Sequence, residues 1–232
     1  MDQPVALITG AGRGIGRATT VELSKRGYQL SLIARNREEL EQTSRAAGTG
    51  VVLTADVSQS HDVDRIVRET VGQFGRLDAI IHCAGLAPVR SIAEMTVEEW
   101  HRVIDTNLSA AFYLCRAAWP IFERQGGGVV VNVSSAAARD PFDGFAAYGA
   151  AKAALNLFGL SAAREGQKIG VRVHTVAPAA TETAMFRQLM SPAQYPPQKT
   201  LDPADVARII VQCVTGELRY TSGEVIWVHK VL

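Results

Sequence analysis

Two side chains four positions apart, Tyr148 and Lys152, could exchange a proton. Residues at this spacing share one face of a helix, with β-carbons about 6 Å apart. A free tyrosine has a pKa of about 10, and a neighbouring ammonium favours the phenolate, which lowers that pKa toward the range of general acid–base catalysis. Such a pair is more often a solvated helix face. Three features favour chemistry: Ser135 upstream, a glycine-rich turn early in the chain, and small neighbours at Ala146, Ala147, Ala150, Ala151, Ala153 and Ala154.

The glycine-rich turn spans Thr9 to Gly16 and reads Thr-Gly-Ala-Gly-Arg-Gly-Ile-Gly. Glycines let the backbone turn tightly and approach a pyrophosphate, and the helix that follows offers unpaired N–H groups and a positive dipole end. The turn follows an apolar run typical of a strand and opens a helical pattern, which is the context a nucleotide-binding turn requires. The alternative is a tight strand-to-helix turn that binds no ligand.

The elements that must position these residues alternate between strand and helix along the chain. Most of the apolar runs are continuous, which favours strands of a parallel sheet covered on both faces. The sequence therefore predicts an α/β fold, a single Rossmann-type domain over 1–232 with a doubly wound parallel sheet of about seven strands and helices on both faces. The predicted strands are Val5–Thr9, Gln29–Ala34, Val51–Thr54, Ala79–His82, Val129–Val133, Val171–Val176 and Val225–Val228.

Helix boundaries are marked between the strands. Thr96 and Glu99 form a capping-box pattern, and Asp202 before Pro203 is an N-cap followed by proline at the first helical position. Gly27 and Gly75 stand where helix C-caps are expected. The proline-rich piece 191–200 is interpreted as a mobile surface loop in a small substrate-loop region at about 184–200.

Composition excludes several classes of protein. The 232 residues carry 24 basic and 23 acidic side chains, a net charge of +1, which gives no electrostatic footprint for nucleic acid or an anionic membrane. No apolar run reaches the ~18 residues that a membrane helix needs. The opening residues lack a signal-peptide pattern, and the three widely spaced cysteines are interpreted as free thiols, so a cytoplasmic location is expected. No cysteine–histidine cluster indicates a metal site.

The glycine turn and six further landmarks in order make the chain resemble the short-chain dehydrogenase/reductase family. The turn fits the TGxxxGxG variant, and Tyr148 to Lys152 fits YxxxK. The others are Asp56-Val57, His82-Cys83-Ala84-Gly85, Asn107, Asn132 to Ser135, and Pro178 to Thr183. This resemblance implies reversible hydride transfer between a nicotinamide cofactor and a carbonyl or secondary alcohol, with Tyr148 as general acid or base.

The resemblance also implies roles for individual residues. Ser135 would hydrogen-bond the substrate carbonyl oxygen, Lys152 would hold the nicotinamide ribose, and Asn107 would support a water-mediated proton relay. The plain alternative for Asn107 is a helix residue bonded to a backbone carbonyl. Thr183 would meet the nicotinamide carboxamide, and Ile15 would pack near its ring. The expected cofactor contacts are Gly10, Gly12, Arg13, Gly14, Ile15, Gly16, Arg35, Asp56, Val57, Ala84, Gly85, Tyr148, Lys152, Pro178 and Thr183.

The choice of cofactor depends on the residue that ends the second strand. An acidic residue there would accept bonds from ribose hydroxyls, whereas arginine would pair with a 2′-phosphate. Arg35 stands at this position, and Arg13 lies within the glycine turn. NADP(H) is therefore predicted over NAD(H). The alternative is that Arg35 and Arg37 are solvated charges, with Arg37 paired to Glu41.

The chain departs from the family pattern at several positions. His82 is interpreted as a hydrogen-bonded structural residue and Cys83 as a small apolar one. Ala179 replaces a glycine, which would shift the loop if that position needs a positive φ. The carboxyl end lacks a Gly-Gly pair, which weakens the case for tetramer contacts. A homodimer or homotetramer is still expected, through small or apolar faces at Ala110, Ala111, Leu114, Ala117, Ala118 and Trp119.

The substrate is the least specified part of the prediction. Candidate lining segments are 86–90, 136–145 and 185–195, which combine aromatic residues with Arg90, Arg139 and Arg187. Arginine there could meet an anionic substrate or remain a solvated surface charge. The leading hypothesis is an NADP(H)-dependent carbonyl reductase or alcohol dehydrogenase. The alternatives are a 3-oxoacyl thioester reductase and a non-catalytic NADP(H)-binding redox regulator.

Overall fold

A computed structural model of the chain describes residues 3–230, which fold around one parallel sheet of seven strands. Five strands have the predicted bounds, while β5 begins one residue earlier and β6 extends to Pro178. The extension occurs because Ala177 and Pro178 still pair with Trp227 and Val228 of the edge strand. The strands are β1 Val5–Thr9, β2 Gln29–Ala34, β3 Val51–Thr54, β4 Ala79–His82, β5 Gly128–Val133, β6 Val171–Pro178 and β7 Val225–Val228.

The strand order is β3-β2-β1-β4-β5-β6-β7, which confirms the doubly wound arrangement. The chain builds outward from β1 in one direction through β3, then crosses back to place β4 on the other side of β1. This reversal leaves a crevice beyond the carboxyl ends of β1 and β4, where open α/β sheets bind their ligands.

Helices cover both faces of the sheet. One face packs α3, α5 and α6 around a core that includes Leu7, Ile80 and Phe122. The other packs α1, α2 and α8 around a core that includes Ile8, Leu32 and Ile210. Within residues 3–230 the helices are α1 Gly14–Ser24, α2 Arg37–Ala47, α3 Ser60–Phe74, α4 Val97–Ile104, α5 Ala110–Gln125, α6 Ala146–Gly166, α7 Ala184–Leu189 and α8 Pro203–Thr215.

The predicted helix caps are largely confirmed. Thr96 and Glu99 form a complete capping box, Asp202 caps α8, and Gly75 ends α3 with a φ of +77°. Gly27 is the exception, because α1 already ends at Ser24 and Gly27 lies in the turn beyond it, also with a φ of +77°.

One feature that the sequence pattern did not predict is a π-helical turn, Asp105–Ser109, between α4 and α5. The wider turn carries Asn107 and buries its side chain completely. Such turns interrupt the register of a helix and are frequent at functional sites.

The predicted oligomer face on α5 is wrong in most of its residues. Ala110, Ala111, Leu114 and Ala118 are at most 1% exposed, because α5 uses them to pack against the chain's own sheet and α3. The outward apolar residues of α5 and α6 include Phe112, which is 50% exposed, and Leu157, which is 66% exposed.

Candidate active site

A cleft of about 1040 Å³ opens at the carboxyl ends of the strands. It brings together residues that lie far apart in the chain. All of the predicted site residues except Asn107 line it: Gly10, Gly12, Arg13, Gly14, Ile15, Gly16, Arg35, Asp56, Val57, Ala84, Gly85, Ser135, Tyr148, Lys152, Pro178 and Thr183.

The glycine turn forms a bare backbone cradle on the floor of the cleft. Gly10 has a φ of +65°, and a β-carbon added there would lie 2.8 Å from the amide nitrogen of Ala84. A β-carbon on Gly16 would lie 2.2 Å from the carbonyl oxygen of Gly10. The turn therefore requires glycine at these two positions in order to close on itself, and it leads directly into α1. This arrangement fits the pyrophosphate of a dinucleotide.

His82 joins the ends of β1 and β4 beside this cradle. Its Nδ1 lies 2.9 Å from the Thr9 hydroxyl, and that hydroxyl accepts a bond from the Ala84 N–H at 3.2 Å. His82 is completely buried, and desolvation, assisted by the charge of Lys152, lowers its pKa to about 3. The imidazole is thus neutral near pH 7, and the interpretation of His82 as a hydrogen-bonded structural residue is confirmed.

Arg17 is a residue of this region that sequence reasoning missed. Its Nε donates to the Gly12 carbonyl at 2.9 Å and to the Thr43 hydroxyl at 3.0 Å. The guanidinium therefore ties the glycine turn to α2. The sequence offered one signal for this role, which is a basic residue in the first turn of α1, directly after the glycine turn.

The end of the cleft next to β2 carries both of the predicted arginines. Arg13 and Arg35 line it, together with Asp56, whose carboxylate accepts bonds from the backbone N–H and the hydroxyl of Ser58. Arg37 also lines the cleft and pairs with Glu41 at 2.9 Å, which is the pairing given as its alternative. Glu39 also lines this end of the cleft and was not among the predicted residues.

Tyr148 and Ser135 meet at the centre of the cleft. Ser135 follows β5, and its hydroxyl oxygen accepts the Ala137 N–H at 3.1 Å, which leaves its hydrogen free to donate. Burial raises the pKa of Tyr148, and hydrogen bonding from Ser135 opposes that rise. The predicted lowering of the tyrosine pKa by Lys152 is therefore wrong for the protein without bound ligands.

The reason lies in the position of the Lys152 ammonium. Its Nζ donates to the Val133 carbonyl at 2.8 Å and lies 5.7 Å from the centroid of the Tyr148 ring. Desolvation lowers the pKa of this lysine to about 8. The ammonium thus lies at the end of β5, next to the phenol ring. A ligand bound beside the tyrosine hydroxyl could contact it there.

Asn107 lies behind the cleft wall. Its Nδ2 donates to the carbonyls of Leu86 and Val103, both at 2.9 Å, which is the plain alternative foreseen for it. Its Oδ1 is buried without a hydrogen-bond partner among the described residues. A β-carbon on Gly85 would lie 2.7 Å from this oxygen and 3.7 Å from Lys152 Nζ. Gly85 therefore keeps open the space that both groups border.

Side-chain hydrogen bonds hold the segment 182–195, which borders another part of the cleft. Thr183 lies against Gly14 and caps α7 by accepting the Phe186 N–H at 3.2 Å. Arg187 pairs with Glu182 through two nitrogens and also donates to the Tyr195 carbonyl at 2.8 Å. These bonds of Arg187 hold the pKa of Glu182 at about 2. Residues 191–199 are largely exposed, as expected of a surface loop, and Arg187 clasps this loop (the lid) through the Tyr195 carbonyl.

The clasp also removes Arg187 from the list of residues that could meet an anionic substrate. Arg90 is engaged by Glu99 at 3.3 Å, and the Arg139 guanidinium stacks 4.6 Å over the ring of Trp227. The wall of the cleft next to Tyr148 is instead lined by aromatic rings. The rings of Phe142, Phe145 and Tyr148 follow one another at 5.6 and 5.3 Å from the cleft mouth to the phenol.

Three further expectations can be compared with the structure. Ala179 has a negative φ, since no residue other than glycine among 3–230 has a positive one, so the missing glycine is accommodated. Cys83, Cys115 and Cys213 are free thiols. Across the described residues, none of the helices has the length and apolarity to cross a membrane, and no group of three or more metal-ligating side chains converges.

Comparison with known proteins agrees with this geometry. The model of the short chain dehydrogenase family matches residues 4–194. An uncharacterized oxidoreductase of Staphylococcus aureus is 31% identical over 225 residues, 95% of each chain, and one of Staphylococcus epidermidis is 28% identical over 224 residues, 96% of each chain. Levodione reductase superimposes with a TM-score of 0.91 at 26% identity, covering 97% of this chain and 96% of that one.

Proposed function

This chain belongs to the short-chain dehydrogenase family, and from that premise we propose that it is an NADP(H)-dependent oxidoreductase acting on a carbonyl compound or the matching secondary alcohol. As an oxidoreductase of this family it uses a nicotinamide cofactor and a small-molecule substrate. The observation that carries the proposal is the convergence of Ser135, Tyr148 and Lys152 on one cleft whose floor is the glycine cradle. A protein that only binds the cofactor has no chemical need for all three.

The proton chemistry is assigned to Tyr148. When bound, the cofactor supplies or accepts the hydride. In the reductive direction the Tyr148 phenol donates its proton to the substrate oxygen, and the Ser135 hydroxyl donates a hydrogen bond to the same oxygen as negative charge develops on it. Burial raises the pKa of Tyr148, which stabilises the protonated phenol that acts as the donor in reduction.

Lys152 and Asn107 are assigned to proton supply and positioning. The Lys152 ammonium holds the nicotinamide ribose hydroxyls and stabilises negative charge on the phenol oxygen after proton transfer. The unpartnered Oδ1 of Asn107 borders the same space beside Gly85, where a water molecule would have polar partners. Such a water would return a proton from solvent through Lys152 to Tyr148.

The remaining residues are assigned to holding the cofactor. The turn Gly10 to Gly16 would receive the pyrophosphate, Asp56 and Val57 would contact the adenine, and Ala84 and Gly85 would line the cofactor between its two ends. Ile15, Pro178 and Thr183 would contact the nicotinamide. Arg13 and Arg35 pair with the 2′-phosphate, which is the basis for proposing NADP(H) over NAD(H).

We also propose that the protein forms a homodimer or homotetramer in the cytoplasm. The exposed side chains of Phe112 on α5 and Leu157 on α6 support an interface between copies, because large apolar groups at this exposure are stabilised by burial. Light scattering at micromolar concentration tests this proposal, and a monomeric mass contradicts it.

The proposed activity is tested by titrating the purified protein with NADPH and NADH, followed by fluorescence, and then adding a panel of ketones and aldehydes to the tighter complex. Preference for NADPH of about tenfold, or 1.4 kcal/mol, together with oxidation of NADPH by at least one carbonyl compound supports the proposal. Tight NADPH binding with no turnover across the panel contradicts the enzyme and favours a cofactor-binding regulator. Equal binding of both cofactors contradicts the proposed preference for NADPH and leaves the proposed enzymatic activity standing.

A further inference from the structure

At the end of the cleft proposed to hold the adenosine, Glu39 lines the same wall as Arg13 and Arg35. Arg37, Glu38 and Asp56 line the cleft as well. Glu39 lies in the first turn of α2, and one of its carboxylate oxygens is 3.9 Å from the Arg13 guanidinium. The side chain of Glu39 is 32% exposed and that of Arg13 is 54% exposed, so both reach solvent from the cleft wall. An acidic group therefore stands beside the arginine that is proposed to bind phosphate.

The position of Glu39 is fixed by its contacts. A β-carbon added to Gly12 would lie 2.9 Å from the Glu39 β-carbon and 3.0 Å from Oε2, so the glycine at this position allows the carboxylate to approach the turn. The Glu39 N–H is capped by Asn36 at 3.2 Å. The Thr43 hydroxyl donates to the Glu39 carbonyl at 3.0 Å.

Arg17 completes this arrangement. It bonds both the Gly12 carbonyl and Thr43, and so clamps α2 onto the glycine turn. The position of α2 therefore places Glu39 at the cleft through its backbone. By contrast Glu41, on the same helix, pairs with Arg37 and does not line the cleft.

We propose that Glu39 competes with the cofactor's 2′-phosphate for Arg13 and thereby limits the preference of this protein for NADPH over NADH. The inference rests on the proposed function, which places the 2′-phosphate at Arg13 and Arg35. A phosphate with a charge of about −1.5 to −2 must share the guanidinium with the carboxylate and is repelled by it. NADH has a neutral hydroxyl at that position and meets no such repulsion.

The test measures the dissociation constants of NADPH and NADH for the full chain by fluorescence titration. Glu39→Gln keeps the size of the side chain and removes its charge, and Glu39→Lys reverses the charge. Glu69→Gln, which removes an exposed carboxylate paired with Arg65 outside the cleft, is the matched control. The Glu39→Gln variant is expected to bind NADPH about five- to tenfold more tightly, with NADH changed less than twofold. Glu39→Lys is expected to increase the effect, and 0.5 M salt is expected to reduce it, because the interaction is between partly exposed charges.

The outcomes separate this inference from the proposed cofactor preference. If wild-type protein prefers NADPH and Glu39→Gln binds it no more tightly, the inference is overturned and the cofactor proposal stands. If wild-type protein binds both cofactors equally and Glu39→Gln acquires a preference for NADPH, the inference is supported and the proposed wild-type preference fails. If Glu39→Gln instead loses affinity for NADH, Glu39 binds the ribose hydroxyls and the inference is overturned. If neither the wild-type protein nor the variants bind either cofactor, both the cofactor proposal and this inference are overturned.

Discussion

The two halves of the cleft are built in different ways. The cofactor half consists of strand ends and the glycine turn, where backbone groups and missing side chains shape the surface, as at Gly10 and Gly16. The substrate half consists of α7, the lid and the aromatic wall, where side chains hold the surface together, as Arg187 holds Glu182 and the Tyr195 carbonyl. A backbone-built site depends on positions where no side chain can be added, whereas a side-chain-built site depends on hydrogen bonds that a single substitution removes. Substitutions in the two halves should therefore have different effects on cofactor affinity and on kcat/KM.

The largest effect is expected at the boundary of the halves, from Tyr148→Phe. Removing the phenol hydroxyl removes the proton donor, so kcat/KM for carbonyl reduction should fall by about 10³-fold. The cofactor half remains intact, and the NADPH dissociation constant should stay within twofold of wild type. Tyr220→Phe, at a residue 86% exposed outside the cleft, is the control. An unchanged rate in Tyr148→Phe would show that the assigned mechanism is wrong.

Gly16→Ala should break the cofactor half. The added methyl group would lie 2.2 Å from the Gly10 carbonyl oxygen, so the turn must shift, and NADPH binding should weaken by about a hundredfold, or 2.7 kcal/mol. Gly72→Ala is the matched control, because nothing lies within 4 Å of a β-carbon added there. Thermal unfolding is measured on both variants to confirm folding. Wild-type affinity in folded Gly16→Ala would contradict the account of the cradle.

The acid stability of the fold should depend on the cofactor half through His82. Its pKa is about 6.5 when unfolded and about 3 when folded, so the unfolded chain takes up the proton first as pH falls. The stability linked to His82 is complete above pH 6.5 and is lost as pH falls toward 3. At pH 5 the loss is about 2 kcal/mol.

Denaturant unfolding at pH 7.5 and pH 5 measures this dependence. His82→Asn should reduce the difference between the two pH values by about 2 kcal/mol. Replacement of the exposed His61 by asparagine should leave it unchanged. His174, whose pKa burial lowers to about 4, accounts for part of the pH dependence that remains. The same pH dependence in wild type and His82→Asn would refute this explanation.

Arg187→Ala should loosen the substrate half alone. The variant loses the bonds to Glu182, Met190 and Tyr195, so the lid should open and kcat/KM for a carbonyl substrate should fall by about tenfold, or 1.4 kcal/mol. Affinity for NADPH should change by less than threefold. Limited proteolysis at Lys199 should become faster, whereas Arg208→Ala, which removes an exposed pair with Asp205, should not alter it. Equal losses in cofactor binding and turnover would remove the distinction between the halves.

Much of the cofactor half could be predicted because its signals are local. The apolar runs define all seven strands, and the spacing of Gly10, Gly14 and Gly16 after β1 indicates the turn. Parallel strands end at one edge of a sheet, so motifs that follow β1, β4 and β5 meet there once the fold is known. Hydrophobic periodicity and turn chemistry act over a few residues, which is why the sequence by itself determines these features.

Only the tertiary structure decided the rest, because it depends on contacts between residues far apart in the chain. Glu39 reaches Arg13 across 26 positions because Arg17 clamps α2 to the glycine turn. The Lys152 ammonium faces the Val133 carbonyl, so burial sets the pKa of Tyr148. α5 turns Leu114 and three of its alanines inward, which the pattern of small and apolar residues did not reveal. Burial and charge pairing are properties of the packed molecule, and they decide which charges face the cleft.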